Sequence, residues 1–101
     1  MSPELDLLDQ LMGSDESLNL ALQIFGWPGD AEALERARHS VTEQVKEGLV
    51  EVKQRAAGSE RVLPRWEARQ ILGEEVHWLR RSEEAEYYLS LTVKGSKYMG
   101  G

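Results

Sequence analysis

Cysteine is absent from the 101 residues. With it go disulfide scaffolds, thiol nucleophiles, cysteine-ligated zinc and iron–sulfur clusters. Histidine occurs only as His39 and His77. No His-x-x-x-His spacing is formed, so no metal site is expected. Long apolar runs are missing too. None approaches the roughly 18 residues that span a bilayer, and no membrane association is expected. The opening Met1-Ser2-Pro3-Glu4 has neither a basic nor an apolar region of the signal-peptide kind, so a cytoplasmic location is the expectation. Also lacking are a Gly-x-Ser-x-Gly elbow, a phosphate loop and a Gly-x-Gly-x-x-Gly turn. The neighbouring carboxylates Glu74-Glu75 and Glu83-Glu84 fit a solvated face better than an acid/base pair. The expectation is therefore no catalytic residue, no cofactor and no enzymatic activity.

Positive charge is in short supply. There are 12 Lys+Arg against 18 Asp+Glu, a net charge of −6, which weighs against a surface built to neutralise phosphates. The imbalance is local. Every charged residue before Ala31 is acidic: Glu4, Asp6, Asp9, Asp15, Glu16 and Asp30. From Ala31 onward acids and bases cancel.

What is present is a globular composition, 41% hydrophobic and 30% charged. The length fits one domain over residues 1–101, with an amphipathic helix in 1–16 and a core in 17–99. A chain this short hides only about two-thirds of its unfolded surface, so most of its large rings should be needed in the core.

Pro3 suits a first helical turn, and Leu5, Leu8, Leu11 and Met12 then recur at helical spacing. Ser14 or Ser17 is placed to cap a second helix, Leu18 to Phe25. Gly26-Trp27-Pro28-Gly29 is a turn. Asp30 is placed to cap the next helix, whose stripe is Ala33, Leu34, Ala37, Val41, Val45 and Leu49. The Ser40…Glu43 spacing also matches a capping box, which would put a turn at His39-Ser40. Gly48 ends this helix in either case. Leu49–Lys53 reads as a strand and Arg55–Val62 as a polar loop. One helix is expected from Pro64 to Arg80, with Trp66 at its start and Ala68, Ile71, Leu72, Val76 and Leu79 on its apolar face. Tyr87–Val93 is the clearest strand, with Tyr87, Leu89, Leu91 and Val93 on one face. Lys94–Met99 reads as a last helical turn.

Two short motifs stand in order: Gly48-Leu49-Val50-Glu51-Val52 after the third helix, and Leu91-Thr92-Val93-Lys94-Gly95 at the end of the last strand. Over residues 17–99 this resembles the winged helix-turn-helix domain, including the MarR-type bacterial regulators. There the recognition helix runs into the first wing strand through a Gly-Leu-Val stretch, and the second wing strand ends in Leu-Thr-x-x-Gly. A Trp-bearing helix between the two strands is similar to a group of small bacterial proteins of this general shape. The resemblance implies an α+β, winged-helix-like fold with four to five helices and a small antiparallel sheet. It also implies presentation of the residues after Ser40 to a major groove. About thirty residues separate the two strands, where a wing hairpin is normally short.

Two candidate surfaces follow. The first, for nucleic acid or a partner, comprises Thr42, Gln44, Lys46, Lys53, Arg55, Arg61, Arg65 and Arg69. Pairing of its bases with Glu60, Glu67, Glu74 and Glu75 is the plain alternative. The second, for a protein partner or a homodimer, comprises Leu5, Leu8 and Met12 on the first helix and Trp78 and Tyr88 off their segments' apolar stripes. Glu43 and Glu47 on the reading helix favour a protein-binding regulatory or interaction protein. A DNA-binding transcriptional regulator is the alternative.

Overall fold

The computed structural model describes residues 2–100, apart from the side chain of Ser82. Among them are six α-helices, a 3-10 turn at Ser82–Glu84 and one four-stranded antiparallel sheet, an α+β arrangement. No described helix is long and apolar enough to cross a membrane.

Helix α1 (Pro3–Gly13) starts where the Ser2 hydroxyl oxygen accepts from the Leu5 N–H at 3.3 Å. Glu4 and Asp6 lie in its first turn, against the positive end of its dipole. The helix buries Leu7, Leu8 and Leu11. Leu8, expected at a docking surface, therefore belongs to the core, at 2% exposure. Leu7 takes the inward place that the spacing assigns to Leu5, because Leu7, Leu8 and Leu11 at i, i+1 and i+4 define the inward arc. A two-residue strand β1 (Glu16–Ser17) follows, unanticipated for lack of any period. Ser17 then caps α2 (Leu18–Ile24), accepting from the Leu20 N–H at 3.2 Å.

Helix α3 (Ala33–Lys46) opens three residues after Asp30. Asp30 does not cap it directly. Its carboxylate accepts from the Glu32 N–H at 2.8 Å and pairs with Arg36 at 2.7 Å, ordering the turn before the helix. The helix is unbroken through His39-Ser40, since the Ser40 hydroxyl donates to Glu4 at 3.0 Å instead of capping a new turn. It ends in a Schellman motif. Gly48, at φ 79°, donates to Val45, and Leu49 donates to Gln44, both at 3.0 Å.

Strand β2 (Val50–Ala56) runs on from there and turns back into β3 (Ser59–Val62). The segment expected as a polar loop is thus a hairpin. Its two-residue turn, Ala57-Gly58, has both φ values positive, 47° and 84°, the type I′ pattern. All four β3 residues are exposed, so no apolar alternation advertises the strand. Strand β4 (Tyr87–Leu91) completes the sheet in the order β1-β4-β2-β3, pairing Val50 with Leu91 and Val52 with Leu89.

The helix expected from Pro64 to Arg80 is two helices, α4 (Arg65–Leu72) and α5 (Glu75–Leu79), broken at Gly73-Glu74. The break rotates Trp78 inward. Its indole N–H donates to the Leu72 carbonyl at 2.8 Å, satisfying an acceptor at the end of α4, and its own carbonyl accepts from Asn19 at 3.0 Å. Val76 and Leu79, expected inside, are 57% and 45% exposed.

Helix α6 (Val93–Tyr98) is capped by Thr92, whose Oγ1 accepts from the Gly95 N–H at 2.9 Å. The same hydroxyl donates to the Gly48 carbonyl at 2.6 Å, joining the two sequence motifs. A Cβ on Gly95 would overlap the Leu49 carbonyl oxygen and lie 2.8 Å from Leu91 Cδ1, so glycine is what lets α6 seat on the sheet. The core draws on α1, α2, α3, β2, α4, α5 and β4, from Leu7 to Leu89.

Candidate functional site

The basic residues singled out in the sequence divide into two groups. Lys53 and Arg55 lie on β2, where both reach Asp15 and Glu60. Lys53 is 3.2 Å from Asp15 and 3.4 Å from Glu60; Arg55 is 3.1 Å and 2.6 Å from the same two. Burial works against the Lys53 ammonium, but the two carboxylates outweigh it and raise its pKa above the ordinary value. The Arg55 hydrogen bond to Glu60 raises the guanidinium's pKa and lowers that of Glu60. Arg61 of β3 donates to Glu67 at 2.7 Å and to Gln54 at 2.8 Å. A phosphate would have to displace these carboxylates. The group ties the hairpin to the segment before β1, and such solvent-screened pairs add little to stability.

The second group flanks α3. Arg69 lines a shallow groove of about 250 Å³ with Arg38, His39 and Thr42 of α3. Arg65 lies over the end of the same helix, one guanidinium nitrogen 3.4 Å from where a Gly48 Cβ would sit. Among the described residues neither Arg65 nor Arg69 has a carboxylate within ion-pair distance, nor does Lys46, which is exposed on α3. Gln44 is a correction. It was placed among the outward residues of α3, but it is 6% exposed, on the Ala37–Val41–Val45 side of the helix.

The apolar set also changes. Trp78 is fully buried, because the break after Leu72 turns it into the core. Tyr88 is half-buried and the Arg55 guanidinium stacks on its ring at 4.1 Å from the centroid, so it forms no patch with Trp78. Leu5 and Met12 are exposed, at 41% and 46%. Trp66, expected at the start of a buried stripe, is 69% exposed.

One groove of about 290 Å³ joins α1, α3 and α6. Leu5, Leu8, Leu49 and Tyr98 supply its apolar part; Glu4, Glu43 and Glu47 are its carboxylates. Gln44 lines it as well. Its Nε2 donates to the Glu4 carbonyl at 3.3 Å, and its buried Oε1 has no hydrogen-bond partner. Such an acceptor costs about 1–3 kcal/mol when buried unpaired. Sequence reasoning did not assemble this groove. The Ser40–Glu4 and Gln44–Glu4 contacts span 36 and 40 residues, and periodicity carries no signal at that range.

The histidines do other work. His77 bonds Glu74 at 2.7 Å and packs edge-on against Tyr87, with ring centroids 4.7 Å apart. His39 is exposed. Among the described residues no three His, Asp or Glu side chains converge as a metal cage. No protein-family model, curated protein or solved structure matches this chain.

Proposed function

We propose that this chain is a non-enzymatic, cytoplasmic regulatory or interaction protein that uses a winged-helix-like scaffold to bind a protein partner. What supports the scaffold is the direct antiparallel pairing of β2 and β4, the strands that carry the two winged-helix motifs, and the Thr92 bond between them. The observation that carries the function is the state of the charges. Lys53, Arg55 and Arg61 are held by carboxylates, while α3 turns Glu35, Glu43 and Glu47 to solvent beside Lys46. With Arg36, Arg38 and Lys46 against these three acids, residues 33–47 carry no net positive charge to draw a phosphate backbone, and such a helix suits a protein surface.

The second reading is a DNA-binding transcriptional regulator. Arg65 and Arg69 favour it, since both flank α3 near Thr42 and lack carboxylate partners among the described residues. A fluorescence titration with random duplex DNA at low and moderate salt separates the two. No salt-sensitive binding is expected. Salt-sensitive binding that weakens on Arg65→Ala and Arg69→Ala substitution would overturn the protein-partner reading.

A further inference from the structure

We infer that the groove between α1, α3 and α6 is the docking surface, and that its occupant is a basic amphipathic segment of a protein partner. This deepens the protein-binding reading and rests on it. Three observations converge. Glu4, Glu43 and Glu47 line it as carboxylates, and no lysine or arginine lines the groove among the described residues. Leu5 and Tyr98 stay 41% and 63% exposed, so an apolar face is open next to those carboxylates. Gln44, 94% buried by its 6% exposure, keeps an acceptor with no donor.

A lysine or arginine head group answers all three. Its charge pairs with the carboxylates, its apolar stem lies on Leu5 and Tyr98, and its N–H reaches Gln44 Oε1. Because Oε1 is closed off, the groove wall at Gln44 opens as the head group enters. A second copy of this chain is a poor occupant, since it brings its own net charge of −6. A nucleic acid meets the same repulsion.

The test is a fluorescence-anisotropy titration with a labelled amphipathic peptide of leucine and lysine, and with its leucine–glutamate counterpart. The lysine peptide binds and the glutamate peptide does not. The Glu43→Lys/Glu47→Lys pair weakens binding about tenfold, with most of the loss in the salt-sensitive part. Glu84→Lys, exposed and outside the groove, leaves it within about twofold. Gln44→Met weakens binding without lowering the melting temperature, which separates a lost contact from a damaged fold. Loss of binding in Glu84→Lys equal to that in the groove pair, or no saturable binding of the lysine peptide, would overturn the groove assignment. If the peptide fails and duplex DNA is also ignored, the groove is wrong but a protein partner elsewhere stands. If DNA binds in a salt-sensitive way while the peptide also binds, the groove stands and the exclusion of DNA falls.

Discussion

Replacing Gly95 with alanine tests how closely α6 is pressed onto the sheet. A methyl group there overlaps the Leu49 carbonyl oxygen and comes 2.8 Å from Leu91 Cδ1. The obstacle is backbone on one side, so it cannot swing away like a side chain. Relief requires α6 to lift by on the order of 1 Å in an interior packed to crystal density. Lifting loosens the Thr92 bonds to Gly48 and Leu49, at 2.6 and 3.0 Å. Overpacking costs about 1–3 kcal/mol and each weakened hydrogen bond about 1 kcal/mol. Against this, alanine gains about 1 kcal/mol of helix propensity. The net is a loss of about 2–4 kcal/mol, or roughly 10–30 °C in melting temperature at this chain length. Gly13→Ala is the control. It lies at the end of α1 with nothing within 4 Å of the new methyl group, so the same propensity gain appears alone and the protein melts slightly higher. Thermal unfolding followed by circular dichroism reads both. Equal melting temperatures for the two variants would refute the close approach of α6 to Leu49.

Two further outcomes are expected. Ala57, at φ 47° in the hairpin turn, occupies a position that Asn tolerates better, so Ala57→Asn stabilises by about 0.5–1 kcal/mol in urea unfolding, and a loss would show the turn is not type I′. Glu60 is held below its ordinary 4.5 by Arg55, so its contribution is present above that pH and fades as pH falls through the lower folded value; Glu60→Gln should flatten the fall of the unfolding midpoint in acid, and an unchanged slope would refute the pairing.

The parts of the fold that were legible are those encoded within a few residues. Ser14 and Ser17 both announced a cap before α2, because a cap acts three residues downstream, and Gly48 announced an exit because its φ is local. The β2–β3 hairpin was hidden because β3 buries nothing and so shows no alternation. The break at Gly73 was hidden because Trp78 gains its place from Leu72 and Asn19, the second of these 59 residues away. The candidate site divides the same way. Glu43 and Glu47 were visible as acids toward the end of the third helix. Their joining with Glu4 and Tyr98 depends on α1 and α6 crossing α3, which no spacing in the chain encodes.

The position of β4 has a consequence for the order of events at the ribosome. In the sheet, β1 touches only β4, and β4 separates it from β2. The strand that joins the N-terminal helices to the hairpin is therefore made only after residues 57–86. Closing that span costs about 2 kcal/mol more chain entropy than closing a two-residue turn. The β2–β3 hairpin can form early and alone, whereas Leu18, Val50 and Val52 wait for Leu89 to cover them. The emerging chain thus carries a half-built apolar face until β4 arrives.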